Sequence, residues 1–249
     1  MPDISRKRAD FRALHQAGFF IMPNAWDIGS SVRLARLGFK AIASTSAGAA
    51  WAIGKEDGEM TRDEVLAHLR MLVAATDLPV NADFENGFAD DPEAVGANAA
   101  LAAATGVAGL SIEDWSGSAF YDTALAAERI AASRAAMDRE HRDAMLIGRH
   151  EKFRDPDEPD SAAIARAIAY ADAGADCLFV PGLKDHGAVR ELVAAVAPRP
   201  VNVVVYQYDD SIPRYAALGV RRFSTGGSLA KIAWTAFDEA AGTLAAFEP

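Results

Sequence analysis

The stretch PVNADFENGFADDPEAVGANAALAAATGVAGLSIED, residues 79–114, decides the fold. It opens with an apolar run that ends in acidic residues at 79–85 and returns to a second such run at 109–114. The segment between them, 91–106, begins with Asp-Pro-Glu and stops at Gly106, as helices tend to do. The stretch therefore predicts a strand, a helix and a second strand parallel to the first.

The same unit recurs along the chain. Eight apolar or β-branched runs begin between 21 and 38 residues apart, close to the roughly 30 residues that a strand, a helix and two short loops need. Segments with helical caps or periodicity separate several of them, at 61–75, 122–140 and 161–176, and another at 228–247 follows the last run. The eight predicted strands lie at 19–26, 41–47, 79–85, 109–114, 145–151, 177–182, 200–205 and 221–227.

Eight consecutive strand–helix units can close into a barrel or lie open as a doubly wound sheet. Open sheets that bind dinucleotides need a G-x-G-x-x-G turn after the first strand, whereas this chain reads NAWDIGSS at 24–31. No Ser- or Gly-rich linker divides the sequence, and RDPDEPD at 154–160 is predicted to be a surface loop. We therefore predict an α/β fold, a (β/α)8 TIM barrel in which a parallel eight-stranded barrel is surrounded by helices, as a single domain over residues 1–249.

Composition excludes several classes of partner. The 249 residues include 25 Lys and Arg against 35 Asp and Glu, and the net charge of −10 repels nucleic acid and anionic lipid. No apolar stretch approaches the ~20 residues needed to cross a bilayer, and no apolar segment follows the basic start. The single cysteine, Cys177, excludes an internal disulfide and is predicted to be a buried apolar residue. We expect a cytoplasmic protein with no nucleic-acid or membrane partner.

Polar residues gather at the carboxyl ends of the predicted strands, where barrel enzymes carry their chemistry. Asp83 and Glu85 are two residues apart, so strand alternation predicts that both side chains face one way. Glu113 ends the next strand. Carboxylates held this closely repel one another unless a cation lies among them, and oxygen ligands without a Cys or His cluster favour Mg2+ or Mn2+. The alternative is that these acids cap helices or pair with basic side chains.

Other residues near these strand ends allow two interpretations each. Arg149 could be an ion-pair partner of Glu113 or could bind a carboxylate or a developing oxyanion. The glycine-rich segment 44–61, a predicted loop, could bring backbone N–H groups to an anion or simply cover the surface. Asp57 in this loop could approach the metal or belong to an Asp-Gly turn. His150 faces away from Arg149 by alternation unless the strand has ended there.

The sequence resembles the isocitrate lyase/phosphoenolpyruvate mutase superfamily, and most closely its short phosphonomutase-like branch. The matching segments run in the same order over nearly the whole chain. They are PNAWD at 23–27, STSAGAAWAIGKEDGEMTRDE at 44–64, LPVNADFENGF at 78–88, GLSIED at 109–114, AAERIAASRAA at 126–136, AGADCLFVPGL at 173–183, PVNVVV at 200–205 and LGVRRFSTGGSL at 218–229.

The resemblance implies a (β/α)8 barrel that binds Mg2+ and a 2-oxo acid or related acid, and that makes or breaks a C–C or C–P bond beside it. It implies that Asp83 is the direct metal ligand and that Asp57, Glu85 and Glu113 hold the water ligands of the metal. It also implies that Ser46 and the backbone at Gly48 grip the carboxylate and enolate oxygens of the substrate. The residues expected to bind substrate are Trp26, Ser46, Ala47, Gly48, Arg149, Asn202 and Ser224, and those expected to be catalytic are Ser46, Glu113, Arg149 and His150.

The sequence departs from the superfamily pattern at two places. IEDWSGSAFYD at 112–122 lacks the cysteine of the K-[KR]-C-G-H segment, which disfavours cleavage of tricarboxylic acids, and also lacks the lysine and asparagine of phosphonopyruvate-processing members. GRHEKF at 148–153 has His150 where the branch commonly has a small hydroxyl residue.

We therefore predict a Mg2+-dependent lyase or hydrolase that cleaves a C–C bond of a small 2-oxo dicarboxylate, of oxaloacetate or substituted-malate size, through a metal-stabilised enolate. Arg149 is expected to hold the distal carboxylate of the substrate. One alternative is C–P chemistry on phosphonopyruvate or phosphoenolpyruvate. A second is a barrel that has lost catalysis and acts as a binding protein. The resemblance also implies a homo-oligomer, either a dimer or a tetramer.

Overall fold

The strands form one parallel sheet that curves into a barrel in the computed structural model, which describes residues 3–206 and 209–247. Each strand from the second onward pairs with the next along the chain, and the first pairs with the last. The predicted (β/α)8 TIM barrel is confirmed. The strands are β1 (Phe20–Met22), β2 (Asn24–Ala25), β3 (Ile42–Ser44), β4 (Val80–Asp83), β5 (Gly109–Glu113), β6 (Met145–Arg149), β7 (Cys177–Phe179), β8 (Val201–Val204) and β9 (Arg222–Ser224).

The first predicted strand, 19–26, is divided into two, so the sheet has nine strands rather than eight. Pro23 separates β1 from β2 because it has no N–H to donate to a neighbouring strand. Its carbonyl still accepts a bond from Ala43 N at 3.0 Å. Since β1 pairs with β9 and β2 pairs with β3, this divided run closes the barrel.

The helices begin where the sequence supplies caps. Thr61 and Glu64 form the predicted capping box, and the Asp91 side chain accepts a bond from Ala94 N. Among the described residues, none of the helices has the length and apolarity needed to cross a bilayer. The helices are α1 (Ile4–Leu14), α2 (Ile28–Arg36), α3 (Ser46–Ala52), α4 (Arg62–Ala75), α5 (Pro92–Ala104), α6 (Thr123–Glu140), α7 (Asp160–Asp172), α8 (His186–Ala195), α9 (Ser211–Ala217) and α10 (Ser228–Ala245).

The interior of the barrel is apolar towards the amino ends of the strands and polar at their carboxyl ends. Met145 and Ile147 of β6 point into a buried cluster with Phe11 of α1 and Cys177, and the next residue on the same face is Arg149. Cys177 is fully buried, as predicted.

Helix α1 covers the amino end of the barrel. Lys7 Nζ donates to the carbonyls of Val73 and Thr76 at 2.9 and 2.5 Å, and Arg8 Nε donates to the carbonyl of Val107 at 3.0 Å. Thr76 and Val107 lie shortly before β4 and β5, so these bonds tie α1 to the connections that enter the strands. The polar residues of the strands therefore gather at the opposite, carboxyl end.

Candidate active site

Three neighbouring strands bring two acids and a basic residue together at the carboxyl end of the barrel. Asp83 ends β4, Glu113 ends β5 and Arg149 ends β6. Arg149 Nη1 lies 2.8 Å from Asp83 Oδ1 and 3.5 Å from Glu113 Oε2. Parallel register accounts for this proximity, because Glu113 is paired directly with Arg149. The strand-end pattern thus predicted residues that are neighbours in space.

A further acid, Glu151, holds Arg149 from a second direction. Arg149 Nε forms an ion pair with Glu151 Oε1, and the Glu151 side chain is almost fully buried. Burial alone would lower the pKa of Arg149, but the charges of Glu151, Glu113 and Asp83 raise it well above its ordinary value. Glu151 is missing from the predicted site, although residues 149 and 151 obey the same two-residue spacing that was used for Asp83 and Glu85.

Glu85 reaches the cleft from a turn rather than from the strand. β4 ends at Asp83, and Glu85 adopts a φ of 48°, in the left-handed region that side chains disfavour. The alternation argument for Glu85 is therefore wrong, although its side chain lines the same cavity as Glu113. Among the described residues Glu85 Oε1 has no hydrogen-bond partner, and burial followed by the charges of Asp83 and Asp57 raises the pKa of Glu85 to about 8. An added cation would relieve this environment.

The segment after β3 places Ser46 and Asp57 beside the same acids. Ser46 donates twice to Asp83 Oδ2, from its backbone N at 3.1 Å and from Oγ at 3.2 Å. Burial and then the charge of Asp83 raise the pKa of the Asp57 carboxyl. Both Ser46 and Asp57 line the cleft, so Asp57 faces it without any rearrangement.

The predicted loop at 44–61 is partly helical. Helix α3 occupies residues 46–52, because the Thr45 side chain caps it by accepting a bond from Gly48 N at 3.4 Å. The Gly48 N–H is thereby used within the helix. The prediction that the backbone around Gly48 binds substrate stays a prediction, with Ser46 and Ala47 as the residues of this segment that line the inner cavity.

Gly48 is required by packing instead. A Cβ at this position would lie 2.8 Å from Trp26 Cβ and 3.0 Å from Ala230 Cβ, so a side chain would force α3 away from its neighbours. Trp26 lies behind α3, in an apolar groove that it shares with Met60, and it does not line the central cleft. This position does not favour the predicted contact of Trp26 with substrate, which stays a prediction, whereas Ala47 does line the cleft.

The far wall of the cleft is polar and internally bonded. Asn202 Nδ2 donates to Ser224 Oγ at 2.9 Å, and Arg222 Nε donates to Asn202 Oδ1 at 2.9 Å. All three residues line an inner cavity of about 170 Å3 together with Asp83. The predicted positions of Asn202 and Ser224 agree with this wall, whereas the buried Arg222 behind them was not predicted.

His150 lies away from the cleft. Its ring is fully buried, with Nδ1 2.6 Å from Asp114 Oδ2 and Nε2 2.6 Å from Glu158 Oε2. A neutral imidazole has one N–H, so two carboxylate contacts favour the doubly protonated ring. Burial lowers the pKa of His150, but the bonds and charges of Asp114 and Glu158 outweigh it and raise the pKa. Alternation turns the ring to the side opposite Arg149, so this geometry favours a structural role, and the predicted catalytic role of His150 stays a prediction.

The cleft offers oxygen donors of the kind that a hard cation prefers. Asp57, Glu85 and Glu113 line an outer cavity of about 390 Å3. Within residues 3–206 and 209–247, no three His, Cys, Asp or Glu side chains converge into a complete metal cage. A metal ion that has one direct carboxylate ligand, and whose water ligands are held by other acids, would not need three converging side chains. The unpartnered Glu85 oxygen and the all-oxygen donor set fit Mg2+ or Mn2+.

An acidic cleft with a tethered arginine, at the carboxyl end of a (β/α)8 barrel, defines an enzyme site. The family profile described as phosphoenolpyruvate phosphomutase matches residues 11–245. An uncharacterized protein of Mycobacterium tuberculosis (strain CDC 1551) is 34% identical over 218 residues, which cover 87% of this chain and 81% of that protein. The chain belongs to the phosphoenolpyruvate mutase/isocitrate lyase superfamily, which confirms the resemblance, and it is an enzyme of this group of carbon–carbon lyases and mutases.

Solved structures agree with this assignment. A lyase/mutase candidate from Burkholderia cenocepacia J2315 is 43% identical and superimposes with a TM-score of 0.90, covering 96% of this chain and 87% of that one. The crystal structure of 2,3-dimethylmalate lyase, a member of the same superfamily, is 25% identical with a TM-score of 0.88, covering 97% of this chain and 85% of that one.

Proposed function

We propose that the protein is a Mg2+- or Mn2+-dependent lyase or hydrolase that cleaves a C–C bond of a small 2-oxo dicarboxylate, of oxaloacetate or substituted-malate type, through an enolate. The observation that carries this proposal is the cluster in which Asp83, Glu113 and Glu151 surround Arg149, while one oxygen of Glu85 has no partner among the residues that the structure describes. The similarity to 2,3-dimethylmalate lyase, whose named substrate is a 2-hydroxy dicarboxylate, supports a small dicarboxylate as the substrate.

The metal would be held by Asp83 directly and by Asp57, Glu85 and Glu113 through water. Bound there, Mg2+ would polarise the 2-oxo and carboxylate oxygens and offset the charge that develops on the enolate. The protein itself would orient the substrate. The Arg149 guanidinium, fixed by three carboxylates, would orient an anionic oxygen of the substrate in the inner cavity. Preorganised donors of this kind stabilise a transition state by several kcal/mol.

We propose that proton transfer in the cleft uses neither histidine nor cysteine. Among the described residues that line the two cavities there is neither. The segment after β5 supplies Trp115, Ser116 and Gly117 to the outer cavity instead. This lining supports small 2-oxo dicarboxylates over tricarboxylic acids, whose cleavage in this superfamily relies on a cysteine in the same segment.

The direct test is product analysis. The purified protein is incubated with Mg2+ and, separately, oxaloacetate, 2,3-dimethylmalate and phosphonopyruvate, and products are followed by proton and phosphorus NMR with EDTA as the control. C–C cleavage that EDTA abolishes is expected. Phosphorus-containing products would instead support C–P chemistry, the alternative that the phosphomutase profile favours. Tight binding of these acids with no turnover would support the non-catalytic barrel.

The raised pKa of Glu85 predicts how stability depends on pH and metal. Its folded pKa of about 8 lies above the ordinary value of 4.5, so the folded protein binds more protons than the unfolded chain between these values. In EDTA, the free energy of unfolding is therefore expected to fall as pH rises from about 5 to 8. Mg2+ should reduce this fall, because it binds the ionised carboxylates. Chemical denaturation across this range tests the slope, and Glu85→Gln, which cannot ionise, should flatten it.

We also propose a homo-oligomer, a dimer or tetramer, in which α10 contributes to the contact. Ala230 is the one buried residue of this fully described helix, whereas Ile232, Phe237 and Leu244 are 56%, 61% and 71% exposed. Light scattering should give a mass of two or four times 26.4 kDa, and Phe237→Asp should lower it. A wild-type monomer would contradict the proposal.

A further inference from the structure

Arg154 lies at the outer edge of the cleft, on a short 3-10 helix, Lys152–Arg154, that follows β6. Its guanidinium carbon lies 5.4 Å from the centre of the Trp115 ring and 4.9 Å from that of the Phe153 ring. Trp115 in turn packs edge-on against Phe120, with ring centres 5.1 Å apart. Two aromatic rings from two different segments therefore flank the guanidinium, an arrangement that suits a planar cation.

The backbone that carries Arg154 is anchored. Phe153 N donates to the carbonyl of Pro181 at 3.0 Å, and Lys152 Nζ donates to the carbonyl of Glu158 at 2.7 Å. These bonds fix the short helix to the connection that follows β7 and to the loop that follows the short helix itself. Less conformational freedom is then lost when Arg154 binds a ligand.

Arg154 is the cation of the outer cavity that has no acidic partner within the described part of the chain. Among the described residues two basic side chains line this cavity, Arg149 and Arg154, and Arg149 is paired with three carboxylates. No ion pair or side-chain hydrogen bond joins Arg154 to a described residue. It nevertheless acts on the cleft: burial and the charge of Asp83 raise the pKa of Asp57, and the charge of Arg154 opposes that rise.

The distribution of charge decides where a dicarboxylate can place its second carboxylate. Asp57, Glu85 and Glu113 line the outer cavity and offer no donor cation to a second carboxylate, and the inner cavity holds the reacting group under the proposed function. A carboxylate that extends outward needs a donor that is still free, and a guanidinium can bind it with two parallel bonds. Arg154 meets both requirements.

We propose that Arg154 binds the distal carboxylate of the substrate and makes the enzyme selective for 2-oxo dicarboxylates over 2-oxo monocarboxylates. This inference rests on the proposed function and extends it, because it assigns the two ends of the substrate to different arginines. Arg149 was expected from the sequence to hold the distal carboxylate, but it is already paired with three carboxylates. Under this proposal Arg149 serves the reacting end and Arg154 serves the distal end. Arg154 is thus a specificity-determining residue.

The test compares a matched pair of ligands, oxaloacetate and pyruvate, which differ by the distal carboxylate. Dissociation constants in Mg2+ are measured by calorimetry, together with kcat and KM for oxaloacetate. Arg154→Gln is expected to weaken oxaloacetate binding and raise KM by about 10- to 100-fold, with pyruvate binding and kcat little changed. Arg154→Lys should lie between, because it keeps the charge but loses the planar fork. Arg190→Gln, on the exposed side of α8, is the control.

The outcomes separate the two claims. Equal losses for oxaloacetate and pyruvate in Arg154→Gln, or no loss for either, would overturn the assignment of Arg154 while leaving the proposed function intact. A wild-type protein that binds neither ligand nor oxalate in the presence of Mg2+ would overturn the proposed function and this inference with it.

Discussion

Replacing Asp83 by asparagine is expected to lower kcat for C–C cleavage by about 10^3-fold and to abolish the stabilisation that Mg2+ and a 2-oxo acid give to the native state. Asparagine keeps the size of the side chain but removes the negative charge that faces Arg149 Nη1 at 2.8 Å and accepts two bonds from Ser46. A neutral amide is also a much weaker ligand for a hard cation. Steady-state kinetics and thermal unfolding with and without Mg2+ measure the two effects.

The control for this variant is Asp10→Asn, on an exposed position of α1 at the amino end of the barrel. It changes the net charge by the same amount but lies far from the cleft, so activity and the metal-dependent shift should match the wild type. An Asp83→Asn enzyme that keeps its activity, or keeps its shift with Mg2+, would remove Asp83 from the proposed metal site.

Replacing His150 by leucine is expected to lower the free energy of unfolding by about 3 kcal/mol at pH 6, because it removes the closer of the two cations that Asp114 and Glu158 share and leaves them Arg166 at 3.6 Å. For a chain of this size that corresponds to a fall in Tm of roughly 6–12 °C. Differential scanning calorimetry measures it. Phe120 packs against the ring, while Tyr170 and Arg166 of α7 also face Asp114, so part of the network survives.

The contacts of His150 with Asp114 and Glu158 make the expected loss of unfolding free energy depend on pH. The folded pKa of His150 is raised above its ordinary value of 6.5, so its contribution to stability is complete below about pH 6.5 and is lost as pH rises through the folded pKa. The difference between the wild type and His150→Leu should therefore shrink in alkaline solution. A difference that stays constant from pH 6 to pH 10 would mean that packing of the ring, rather than its charge, stabilises the fold.

The fold and the centre of the site could be predicted because both follow from simple periodicities. Repeated strand–helix units predict a barrel, and parallel strands that end at one rim bring Asp83, Glu113 and Arg149 together. Cys177 illustrates the same logic, since its place at the start of an apolar run predicted the burial that the structure shows.

What could not be predicted depends on local reversals of the backbone and on side-chain reach. Glu85 enters the cleft through a left-handed turn that the strand period does not encode. Gly48 was interpreted as a flexible loop residue, but the cap at Thr45 starts a helix there. Arg154 belongs to a segment that was interpreted as surface loop, and its significance rests on its distance to Trp115, a contact between separate strand connections.

The alternation at the end of β6 has a consequence for laboratory evolution. Arg149 and Glu151 form an ion pair at the candidate active site, whereas His150 between them contacts Asp114 on the opposite side. Substitutions at adjacent positions are therefore expected to affect different properties, activity in one case and stability in the other. A library confined to position 150 would explore thermal tolerance with little effect on turnover. One that varies Arg154 would explore the acids accepted with little effect on folding, so the two traits could be improved in separate rounds and then combined.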